Sequence, residues 1–70
     1  MDRSQFEDLW TRSEPGVRAF LAACCRDAAV VQDLSQEVAM AAWQKHDQDD
    51  ATRDFHTWVV GMARFVVQRH

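Results

Sequence analysis

The chain has 70 residues and a formal charge of −3, enough for one domain and too few for two, and a domain this short hides only about 60% of the surface its unfolded form exposes. The acidic balance excludes binding to nucleic acid by net charge alone, so any such contact must be local or assisted. Three Trp and four Phe supply large apolar area per residue, while two Gly and one Pro leave little punctuation.

No stretch alternates apolar and polar residues over a strand's length, so the expected fold class is all-α: a compact bundle of three to four helices occupying residues 1–70 as one domain. Cys24 and Cys25 are adjacent and have no other partner, which argues against a disulfide framework and for reduced thiols. The three histidines lie far along the chain from this pair, so no zinc spacing arises and no metal or other cofactor is expected. There is no charged-then-apolar leader and no run of eighteen apolar residues, which makes a cytoplasmic chain without a membrane partner the default expectation.

In chain order, Ser4 followed by Glu7 has the form of a capping box, and Phe6, Leu9 and Trp10 then recur at helical spacing. Ser13-Glu14-Pro15-Gly16 is expected to interrupt this first helix, with Pro15 in the first turn of a second. Val17, Phe20, Leu21 and Cys24 repeat at i, i+3, i+4 and i+7, which predicts Cys24 in the core and Cys25 at its margin. Asp27 suits the cap of a third helix running to about Lys45 or His46.

That third helix has two faces. At about 100° per residue, Val30, Val31, Leu34, Val38, Ala41 and Ala42 gather into an apolar arc, while Asp33, Gln36, Glu37, Met40 and Gln44 gather into another, with Trp43 at its edge. The second arc has the form of a docking stripe, and it also has the form of any solvated helix face.

His46 to Asp54 lacks an apolar period and reads as an acidic surface loop. Asp54 can cap a last helix in which Phe55, Trp58, Val59, Met62, Phe65, Val66 and Arg69 share a face, next to a second face of His56, Val60, Ala63, Arg64 and Val67. Trp58 is expected to meet Phe20, Leu34 and Val38 in the core. The chain stops at Arg69-His70 without a cap, which predicts a piece of a longer protein.

No catalytic constellation emerges, since Thr57 and His56 face different sides of a helix and neither a phosphate loop nor an H-E-x-x-H pair occurs, so an enzyme is not expected. The Asp47 to Asp54 run lacks the glycine and terminal Glu of a calcium loop.

Asp33-Leu34-Ser35-Gln36-Glu37-Val38 and Phe55-His56-Thr57-Trp58-Val59-Val60-Gly61-Met62-Ala63-Arg64, together with the opening Phe6-Glu7-Asp8-Leu9-Trp10, resemble region 2 of bacterial sigma factors of the extracytoplasmic-function group. The resemblance extends over nearly the whole chain. It implies a domain that binds core RNA polymerase and recognises and melts the minus-ten promoter element during transcription initiation. Under it, Asp33, Gln36 and Glu37, with Met40 beside them, dock on the beta-prime coiled-coil. The loop before the last helix, with Asp49, Asp50 and Arg53, and that helix itself, with His56 and Arg64, face the non-template strand of promoter DNA. Carboxylates can accept from a cytosine amine, and Arg64 suits a phosphate. An anti-sigma factor is a further implied partner, and a second DNA-binding domain commonly follows in the family.

Departures from the pattern are specific. Phe65 stands where the family commonly has an Asn implicated in promoter contacts, and its angular position beside Trp58 and Met62 predicts a core residue. Ala39 replaces a common Phe, and Val59 a common Leu. The competing reading is an acidic helical protein-interaction module that never touches DNA.

Overall fold

The computed structural model describes residues 2–46 and 54–70, which form three helices: α1 (Arg3–Cys24), α2 (Ala28–Lys45) and α3 (Phe55–Arg69). Each helix packs on the other two. At 1.5 Å per residue, the 22 residues of α1 span about 33 Å, which matches the molecule's longest dimension of 33 Å. One helix therefore runs the length of the bundle.

The expected break at Pro15 does not occur. Pro15 lies inside α1, and the residues that α1 buries are Phe6, Ser13, Val17 and Leu21, which fall within an arc of about 80° that continues through the proline. Pro15 sits opposite that arc and is exposed. The carbonyl of Thr11, which would have accepted the missing N–H, therefore faces the solvent side, where water can satisfy it. Packing of both halves on one core outweighs the local helix-breaking preference.

The start of α1 also differs from expectation. Asp2, not Ser4, is the cap: its side chain accepts from the Gln5 N–H at 2.8 Å while the Gln5 side chain accepts from the Asp2 N–H at 3.1 Å. Glu7 pairs instead with Arg3, one turn earlier. At the other end, Cys24 is exposed and Cys25 is half-buried against the core, the reverse of the expected order. Helical period ceases to apply at Cys25, whose extended backbone (φ −133, ψ 137) turns its side chain inward.

Asp27 caps α2 as expected, accepting from the Ala29 N–H at 2.9 Å. The buried residues of α2 are Val31, Leu34, Ser35, Val38 and Ala42. In α3, Phe55, Val59, Ala63 and Val66 are buried, so the inward arc is rotated by about 60° from the expected one. Ala63 enters the core, Trp58 and Met62 become half-buried, and Phe65 is 53% exposed. The aliphatic centre is built from Val17, Leu21, Val38 and Val59, all fully buried.

Candidate functional site

Asp33, Gln36, Glu37 and Met40 are all exposed on α2. Together with Gln44 they occupy an arc of about 100° lying nearly opposite the buried one. The stripe is thus held by a helix whose other face is locked into the core. Met40, at 63%, is the most exposed large apolar side chain among the described residues, and it sits between two carboxylates and two amides on this arc.

On α3, His56 and Arg64 are exposed and lie along a shallow groove with Thr57, Val60 and Gly61. Arg64 makes no ion pair among the described residues, whereas Arg3, Arg12 and Arg18 are each paired with a carboxylate one turn away on α1. The sequence of α3 contains no Asp or Glu, so this face is locally basic within an acidic chain.

The N-terminus of α3 is fixed by Asp54. Its Oδ2 accepts from the Thr57 N–H at 3.0 Å and from the Thr57 hydroxyl at 3.1 Å. These two bonds, backbone first, hold the carboxyl below its ordinary value of 3.8, with a smaller pull from His56. The His56 ring lies over Gly16 of α1, where an added Cβ would come within 2.6 Å of the ring. Gly16, read from sequence as a helix breaker, instead leaves room for a side chain of the candidate site.

A larger groove of about 560 Å³ opens between α2 and α3, with Glu37 and Lys45 from α2 and Trp58, Met62, Phe65 and Arg69 from α3 among its lining. The Phe65 ring has the Arg69 guanidinium 5.4 Å and the Lys45 ammonium 6.0 Å from its centroid. Gly61 also lines this groove, and nothing lies within 4 Å of where its Cβ would be.

Sequence periodicity missed an aromatic cluster at the ends of the helices. Phe6 meets Trp43 edge-on at 5.2 Å and Phe55 at 5.7 Å. His46 stacks on Trp43 at 4.3 Å, with its Nδ1 hydrogen-bonded to the Trp43 carbonyl, and Arg3 covers Trp43 at 5.1 Å. His46 and Phe55 thereby pin the chain on either side of residues 47–53. Asp49, Asp50 and Arg53 lie outside the described residues. Trp43, expected at the edge of the stripe, is turned into this cluster.

Among the described residues no group of three His, Cys, Asp or Glu side chains could hold a metal ion, and no helix is long and apolar enough to cross a membrane. A protein-family model, Sigma-70 region 2, matches residues 9–70. Comparison with curated proteins and with solved structures gives no match.

Proposed function

The chain belongs to the sigma-70 region 2 family, and from that membership we propose that it docks on the beta-prime coiled-coil of RNA polymerase through Asp33, Gln36, Glu37 and Met40 and holds the minus-ten non-template strand on the His56 and Arg64 face of α3. Domains of this family engage core RNA polymerase and promoter DNA in transcription initiation, and the match extends over most of the chain. The finer assignment is supported above all by one observation: the stripe is fully outward on a helix whose opposite face is fully inward. Acid and amide groups held rigidly in this way can meet a basic helical hairpin with directional contacts, which favours specificity and fast association. Asp49, Asp50 and Arg53 belong to the same proposal as readers of the strand next to α3. Membership of the extracytoplasmic-function group, a second domain beyond His70 and control by an anti-sigma factor complete the proposal.

Reversing Glu37 to Lys tests the docking face. Binding to a beta-prime coiled-coil peptide is expected to weaken by about 1 to 3 kcal/mol in a calorimetric titration, with the circular dichroism of the helices unchanged. Equal affinity of parent and variant would remove Glu37 from the interface. The competing reading, an acidic interaction module without DNA contact, is disfavoured by Arg64, which makes no ion pair among the described residues, on an acid-free helix. Retention of purified core polymerase by the immobilised chain separates the two readings.

A further inference from the structure

The chain's two glycines both lie inside helices, Gly16 in α1 and Gly61 in α3. Glycine in a helix interior is less favourable than alanine, because it loses more backbone freedom on folding. A positive φ would justify that cost, but neither glycine has one. At Gly61 nothing lies within 4 Å of where a Cβ would be. At Gly16 a Cβ would lie 2.6 Å from Cε1, 3.2 Å from Nε2 and 3.7 Å from Nδ1 of His56. The edge of the imidazole thus rests on the α1 backbone in the place of the missing methyl group.

His56 is fixed from its own helix as well. Asp54 and Thr57, on either side of it in the chain, are joined by the two bonds of the cap, so its backbone is held in the first turn of α3. Along that helix His56, Val60, Ala63 and Val67 follow at i, i+4, i+7 and i+11, which places them in one row. Ala63 is buried and both valines are half-buried, while His56 is the exposed, polar end of the row, laid against α1. An exposed histidine on a fixed backbone still has two side-chain torsions free. Contact with Gly16 limits them.

We propose that Gly16 is a positioning residue, which seats the His56 imidazole in one orientation along the shallow groove it shares with Arg64 and so prepares it for the promoter strand. The proposal rests on the promoter-binding reading above and adds a residue of α1 to a face otherwise built on α3. Ordering a side chain during binding lowers affinity, and a ring already ordered avoids that loss, which corresponds to roughly 2- to 12-fold in the dissociation constant for one side chain. The methyl group of an alanine at position 16 meets the tip of a side chain and not another backbone. The helices therefore stay packed and the ring gives way. Gly16→Ala separates two properties that a structural role would move together: the helix gains propensity while the site loses its seat.

The experiment has two parts. In the full chain, a nuclear Overhauser contact is expected between the Gly16 Hα protons and the His56 Hε1 proton, and the contact between these positions is expected to be lost in Gly16→Ala, whose urea midpoint is no lower than the parent's. With the chain bound to core polymerase, Gly16→Ala is expected to weaken binding of a single-stranded minus-ten oligonucleotide roughly 2- to 12-fold. In a His56→Ala background the same substitution is expected to cause no further loss, since the group it positions is gone.

Absence of the Overhauser contact in the parent overturns the seat whatever the chain binds. The proposal also falls, and the promoter-binding reading stands, if His56→Ala weakens strand binding but Gly16→Ala does not. A loss that persists in the His56→Ala background, or a lowered urea midpoint, would show that Gly16 acts through the shape of α1, and this too overturns the proposal. If both single variants bind the strand as the parent does, His56 leaves the promoter face and the proposal falls with it. If the parent in complex with polymerase binds no strand, both readings fall.

Discussion

Asp54 starts α3 with a single carboxylate oxygen that receives two donors from Thr57, and the consequence is a pH dependence of known sign. The folded-state pKa lies below the unfolded one, so the cap's contribution is fully present above about pH 3.8 and is lost as the pH falls through the folded-state value. Asparagine can cap a helix but has no charge to lose. Asp54→Asn is therefore expected to narrow the difference between urea midpoints measured at pH 7 and at pH 3, the other carboxylates contributing equally to both proteins. Identical differences in variant and parent would show that the cap does not titrate as its bonds require. The same residue shows what a sequence can disclose: an acid three positions before Thr57, ahead of an apolar period, was legible as a cap because both partners are local. Phe65 was not legible in this way. Its place depends on how far α3 is rotated about its axis, and that rotation is set by which of Ala63 and Phe65 fits against the valines and leucines of the other helices.

At the scale of the helix, α1 shows local preference and tertiary packing in conflict. Proline in a helix interior costs about 3 kcal/mol relative to alanine. Part of this is offset because proline also restricts the unfolded chain, by about 0.4 to 1 kcal/mol, and because the Thr11 carbonyl lies on the solvent side. Pro15→Ala is accordingly expected to stabilise the domain by about 1 to 2 kcal/mol in urea unfolding. A loss of stability would mean that Pro15 fixes a bend needed to bring Val17 and Leu21 onto the core. The motif Ser-Glu-Pro-Gly suggests a break because Ser, Pro and Gly are turn formers in isolation, while the signal that overrides it, the common arc of Phe6, Ser13, Val17 and Leu21, becomes visible only when the period is carried across the proline. On α2 nothing competes with the period, and there the outward stripe of Asp33, Gln36, Glu37 and Met40 could be read directly, as could most of the buried arc, with Val30 and Ala41 half-buried and Ser35 buried in addition. The aromatic cluster of Phe6, Trp43, His46 and Phe55 stayed hidden because its members come from three helices, and no spacing within one helix encodes such a meeting.

For the whole molecule, the decisive quantity is how charge is distributed. Asp33 and Glu37 face outward from α2, the arginines of α1 are paired with their neighbours, and Arg64 and Arg69, which make no ion pair among the described residues, sit on a helix that has no acid. A distant phosphate chain meets a net charge of −3; a strand already held against α3 meets local positive charge. Ionic screening separates these two situations, since the Debye length near 0.15 M salt is about 8 Å, shorter than the bundle is wide. Under this argument the free domain gains little from charge steering, and its affinity for a minus-ten oligonucleotide is expected to be no tighter than the roughly 10⁻⁴ to 10⁻⁶ M typical of nonspecific association. Under the proposed docking of the α2 stripe on polymerase, with polymerase supplying the duplex contacts, Arg64 would be close enough for its charge to act. Arg64→Ala is then expected to lower open-complex formation by a similar factor on every member of a panel of minus-ten variants, because a phosphate contact carries no base information. Substitutions at Asp49 or Asp50 are expected to change the order of preference within the same panel. An Arg64→Ala defect confined to particular bases would make Arg64 a base reader, and an unaltered order after the loop substitutions would move sequence reading away from the segment preceding α3.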